Sequence, residues 1–168
     1  MNKKNLAYKL SLSGILVAIS TFFGTFSIPV FGGKMSPVQH FINVVMAVTL
    51  GPWYALLGAF VTSLLRNILG TGTLLAFPGS MVGAVLGGLL YKKFKKIHFA
   101  VIGEIIGTGL LGALIAYPFA VLFMGKTVAV FAYIIPFSIS CIGGAIIAFL
   151  FLNIPAIKKT IEKSQEEH

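Results

Sequence analysis

The chain has no aspartate and only four glutamates, and three of these (Glu162, Glu166 and Glu167) fall within its last seven residues. Arginine, tryptophan and cysteine each occur once, as Arg66, Trp53 and Cys141. Only 10% of the 168 residues are charged, against about 25% in an ordinary soluble domain. So few charges cannot cover a water-soluble core, and that class is excluded. The lone Cys141 excludes an internal disulfide and offers no metal-ligand spacing, so it reads as a small packing residue. Catalytic signatures are missing as well. There is no His-Glu-x-x-His, Cys-x-x-Cys, Gly-x-Ser-x-Gly or Walker lysine, and Gly70-Thr-Gly-Thr73 is too short for a phosphate loop. No enzyme, cofactor or metal site is expected.

What is abundant is apolar surface. Hydrophobic residues make up 57% of the chain and the mean hydropathy is +0.97, which predicts a single-domain, all-α integral membrane protein. A net charge of +9 would suggest nucleic acid in a soluble protein. Here the lysines cluster at 3, 4 and 9, at 92, 93, 95 and 96, and at 158, 159 and 163, between apolar blocks. That is the pattern of loops and tails beside a membrane. No nucleic-acid partner is expected.

Spans need about 20 apolar residues. The block at 7–28 supplies the first. It is too long for the apolar region of a signal peptide and lacks a small-residue cleavage site, so it reads as retained. Residues 37–91 carry no charge except Arg66 and break at Leu50-Gly-Pro-Trp53 and Gly70-Thr-Gly-Thr73. They give three short spans at 37–50, 53–69 and 78–91. Spans at 98–123 and 128–153 follow, then a cytoplasmic tail at 154–168. Six spans place both termini and Lys92–Lys96 on one side, ten lysines against Lys34 and Lys126 on the other. The positive-inside rule makes the lysine-rich side cytoplasmic. The loop at 29–36, with its Gly32-Gly33 pair, is either a cover for an outer site or a plain connector.

Polar residues inside spans are costly and face a bundle interior or a water-filled cavity. Gln39, His40 and Asn43 share a face of the second span, at i,i+3 and i,i+4 spacing. Thr62 and Arg66, and Ser63 and Asn67, pair likewise on the third. Gly70, Thr71 and Thr73 add backbone groups at the same level, so the set converges on an outward-facing site. Arg66 lines that site or snorkels to headgroups. His40 lines it or bonds a loop carbonyl, and Asn43 lines it or joins helices. Glu104 lies about 9 Å into its span from the cytoplasmic start and Arg66 about 20 Å from its own, which argues against a direct salt bridge. Glu104 is either a protonated or hydrogen-bonded structural group or reaches the site through a tilted helix. Tyr117 completes the candidate set. On the first span Ala7, Ser11, Gly14 and Ala18 form a small-residue packing stripe, with Gly14-x-x-x-Ala18 at its centre.

The segments Ser36-Pro-Val-Gln-His-Phe-Ile-Asn43, Leu50-Gly-Pro-Trp-Tyr-Ala55, 63–80 and Gly103-Glu-Ile-Ile-Gly-Thr-Gly109 resemble the ThiW family across nearly the whole chain. These are substrate-binding S components of energy-coupling factor vitamin transporters. The resemblance implies a six-helix S-component bundle in the bacterial plasma membrane, with an outer vitamin site covered by the first loop. It implies uptake of hydroxyethylthiazole, the thiazole precursor of thiamine, with a transmembrane T component and two cytoplasmic ATPases as partners. S components usually dock through Ala-x-x-x-Ala on the first helix. This chain carries Gly14-x-x-x-Ala18 there, which keeps the small-residue logic. A phosphorylated or carboxylated ligand, or a gradient-driven carrier, is the alternative.

Overall fold

The computed structural model describes residues 3–30 and 33–166. Among these residues eight α-helices follow in order: α1 (Lys3–Gly24), α2 (Pro37–Thr49), α3 (Pro52–Ile68), α4 (Ala76–Phe94), α5 (Ile97–Ile106), α6 (Ala113–Met124), α7 (Ile134–Leu152) and α8 (Pro155–Glu166). A π-helical stretch, Gly107–Gly112, joins α5 to α6, so Ile97–Met124 runs as one 28-residue apolar rod. Among the described residues three helices are long and apolar enough to cross a membrane: Leu6–Gly24, Ile97–Met124 and Ile134–Leu152. Local signals set the ends. Pro37 and Pro52 open α2 and α3, where a missing N–H costs nothing. Gly125, at φ +62, closes α6 in the left-handed conformation that glycine takes without strain.

Several boundaries differ from the sequence reading. The first helix stops at Gly24, not 28, because Ile28–Val30 (β1) pairs antiparallel with Gly33–Met35 (β2). The expected loop at 29–36 is therefore largely a short hairpin; Gly32 lies outside the described residues. The last long helix begins at Ile134, six residues later than expected. The expected tail at 154–168 is mostly helix α8. Ile157 and Ile161 of α8 pack against Tyr91 and Leu152, which gives that segment an apolar face to bury although its composition is polar.

The centre of the bundle is a glycine contact. A Cβ built on Gly103 would lie 2.6 Å from Gly87 Cα, and one on Gly107 would lie 2.6 Å from Gly83 Cα. Gly83-x-x-x-Gly87 on α4 thus meets Gly103-x-x-x-Gly107, and the two backbones touch as small residues allow in apolar bundles. Gly83 also leaves the room that the Glu104 and Thr108 side chains fill. Gly103→Ala should therefore lower the thermal unfolding temperature in detergent, since overpacking costs about 1–3 kcal/mol. Gly14→Ala, where a Cβ meets nothing within 4 Å, should leave it unchanged. Equal melting of the two variants would contradict this packing.

Candidate ligand-binding site

α2 is short and enclosed. Its Gln39, His40, Ile42, Asn43 and every residue from Val44 to Val48 are buried, packed by α1, α3, α4 and α7. Beside its first turn lies a cleft of about 480 Å³ of atom-free space, open mouth included, of which about 40 Å³ can hold the centre of a water molecule. Met35 and Ser36 reach it from the hairpin side, Gln39 and His40 from α2, and Thr73 and Leu75 from the turn before α4. Ala76, Gly79 and Ser80 of α4, Thr108, and Pro136, Phe137 and Ser140 of α7 close it. A mostly apolar wall with a few hydroxyls and one imidazole suits a compact, weakly polar ligand.

Beneath the cleft runs a continuous polar layer. Three polar atoms surround Oε1 of Glu104, which is fully buried: His40 Nδ1 at 2.8 Å, Asn43 Nδ2, which donates, at 3.1 Å, and Thr108 Oγ1 at 3.1 Å, whose hydroxyl lies equally close to the Gly79 carbonyl. Asn43 Nδ2 also donates to the Ser80 carbonyl at 3.2 Å. Gln39 Nε2 donates to Ser63 Oγ at 3.1 Å and Ser80 Oγ at 2.9 Å, while its Oε1 accepts from the Arg66 guanidinium at 2.5 Å. Arg66 donates further to the Thr71 carbonyl at 3.2 Å. This chain of bonds satisfies most of a polar layer that would otherwise be prohibitive to bury. Arg66 Nε and Glu104 Oε2 carry no bond among the described residues.

The expected residues divide accordingly. Gln39, His40 and Thr73 lie on the cleft wall, and Asn43 and Glu104 lie beneath it. Arg66 is 1% exposed, so it does not snorkel; it is wedged against Gly24 of α1 and holds Gln39 and Thr71. No ion pair joins it to Glu104 among the described residues. Asn67 donates to the Ser63 and Thr73 carbonyls at 2.8 and 3.1 Å, and so shapes the 70–73 turn. Gly70 in that turn takes φ +70, a backbone open to glycine at little cost. Tyr117 is half-buried and off the cleft wall. The sequence reading did not single out Ser36, Ser80, Thr108, Phe137 or Ser140 as wall residues. Small hydroxyls pack as readily as they bond, so nothing in their spacing sets them apart.

The stripe Ala7, Ser11, Gly14 and Ala18 is exposed along its length. The opposite side of α1, with Leu12 and Leu16, packs into the bundle. Among the described residues no group of three metal-ligating side chains occurs.

Searches of curated proteins and of solved structures returned no match. A family match does exist, to the thiamine-precursor transporter protein ThiW, and it spans residues 10–159. With nearly the whole chain covered, and with apolar helices enclosing a small cleft, this protein belongs to the ThiW family of thiamine-precursor transporters.

Proposed function

We propose that the chain is the substrate-binding S component of an energy-coupling factor importer and that the cleft beside α2 holds hydroxyethylthiazole. One observation carries this reading: a buried polar layer opens on one side, through His40, into a small and mostly apolar cleft. A thiazole ring with a methyl and a hydroxyethyl group matches such a wall, because the ring needs apolar contact and the alcohol needs few hydrogen bonds. Arg66 does not border the cleft, and its guanidinium is taken up by Gln39 and Thr71, which favours this neutral ligand over an anionic one. The hairpin β1–β2 carries Met35 and Ser36 to the cleft mouth, which fits a cover over the site. The exposed Ala7–Ala18 stripe fits a docking face for the T component. Uptake of labelled hydroxyethylthiazole into membrane vesicles should require the T component, both ATPases and ATP. Uptake by this chain alone, driven by an ion gradient, would identify a secondary carrier instead.

The membrane arrangement proposed is six crossings, with the short helices α2 and α3 enclosed by the longer ones. Both termini and the Lys92–Lys96 turn lie in the cytoplasm. Single cysteines at positions 34 and 93, in a Cys141→Ala background, should label from outside intact cells only at 34. Labelling at 93 would contradict this topology.

A further inference from the structure

We infer that the His40–Glu104 pair makes the cleft selective for a ligand with a free hydroxyl donor and against the phosphate ester of that alcohol. The inference rests on the cleft being the thiazole site. Asn43 fixes the first step. Its amide nitrogen donates to a carbonyl, Ser80 O, which can only accept, so the same nitrogen also donates to Glu104 Oε1. Thr108 Oγ1 lies 3.1 Å from both Oε1 and the Gly79 carbonyl and has one hydrogen to share, so Asn43 is the fixed donor on Oε1. Oε2 has no acceptor for a carboxyl proton among the described residues, and the buried Arg66 cation on the same polar layer favours the ionised carboxylate. His40 Nδ1 therefore carries the hydrogen, and Nε2 is the ring nitrogen left for a ligand. His40 lines the cleft, and among the described residues its only hydrogen-bond partner is Glu104.

Charge balance fixes the second step. Arg66 is always charged, is buried, and has no acidic partner among the described residues. Glu104 and Arg66 are joined through Asn43, Ser80 and Gln39, so one buried cation offsets one buried anion along a single polar layer. A neutral His40 keeps that layer neutral, and its Nε2 then offers a lone pair. Among the described residues that share the cleft with His40, Ser80 from α4, Thr108 from the π-helical stretch and Ser140 from α7 add no charge. The acceptor calls for a donor, and the alcohol of the hydroxyethyl arm supplies it. A phosphate ester brings about −1.5 to −2 charges instead. Among the described wall residues it would meet no cation, and a carboxylate lies just beneath, an unpaired burial that is strongly unfavourable. Glu104 is thus a positioning residue: it touches no ligand, but sets which atom of His40 does.

The test uses the purified full chain and three probes: hydroxyethylthiazole, its methyl ether and its phosphate monoester. The ether and the phosphate should each bind at least about tenfold more weakly than the alcohol, the factor that corresponds to 1.4 kcal/mol. Glu104→Gln removes the carboxylate charge and leaves the Arg66 cation unbalanced, so the gap between alcohol and phosphate should shrink by about tenfold or more. Phosphate binding as tight as alcohol binding in the parent chain would overturn the inference, as would an unchanged gap in Glu104→Gln. No binding of the alcohol at all would instead overturn the assignment of the cleft, and the inference with it. Should Glu104→Gln fail to fold, nitrogen NMR of histidine-labelled parent protein decides. His40 Nε2, assigned by comparison with His40→Ala, should be unprotonated at neutral pH and should shift on addition of the alcohol but not of the ether. A protonated Nε2 would overturn the inference.

Discussion

Gly14→Leu and Ala18→Leu are each expected to abolish ATP-driven uptake of hydroxyethylthiazole while its binding to the isolated chain stays near the parent value. The reason is where these residues lie. Ala7, Ser11, Gly14 and Ala18 run along one exposed face of α1, and a Cβ at Gly14 would meet nothing in the chain. Larger side chains there cannot disturb the bundle. They can only prevent another helix from approaching, and close approach is what a small-residue stripe provides where lipid is as apolar as the helix itself. The buried side of α1, where Gly24 meets Arg66 and Leu16 meets the core, is untouched. Transport assays with the partner subunits, paired with pull-down of the T component, measure both effects. Full assembly and transport in both variants would move the docking face elsewhere.

The second large effect concerns the cleft. His40→Ala and Asn43→Ala should each weaken hydroxyethylthiazole binding by about 5- to 150-fold, because losing a hydrogen bond in a desolvated pocket costs about 1–3 kcal/mol. The two act differently. His40→Ala removes a group on the wall, whereas Asn43→Ala removes the donor that Glu104 and the Ser80 carbonyl share and disturbs His40 indirectly. Asn43→Ala should therefore also lower the unfolding temperature, and His40→Ala less so. Leu122→Ala, at a side chain 75% exposed on α6, should change neither affinity nor stability. Titration and thermal unfolding in the same detergent read both. Unchanged affinity in His40→Ala would show that the ligand does not meet this wall.

Much of this arrangement was legible in the sequence, for physical reasons that differ by element. Pro37, Pro52 and the Gly70–Thr73 break punctuate the uncharged block clearly, so α2, α3 and α4 begin and end close to where composition puts them. The polar set Gln39, His40 and Asn43 was legible because helical spacing puts it on one face. Glu104 was not placed by counting. Rise per residue gives depth only if helices share a starting level, and α2, with 13 residues against 28 in the Ile97–Met124 rod, need not share one. Its first turn meets Glu104 directly. Arg66 reads as a wall residue or an anchor; it is buried and does not border the cleft. Its long side chain reaches Gln39 and Thr71 because Gly24 leaves space, a relation across 42 residues that no local pattern carries. The hairpin was hidden because three-residue strands lie below any periodic signal.

Calorimetric titration of the purified parent chain with hydroxyethylthiazole tests the central claim most directly. Saturable binding of one ligand per chain is predicted, and it should be lost in Ala76→Phe, where a bulky ring fills the cleft that Ala76 now borders. Absence of saturable binding in the parent chain, or binding that survives Ala76→Phe unchanged, would contradict it.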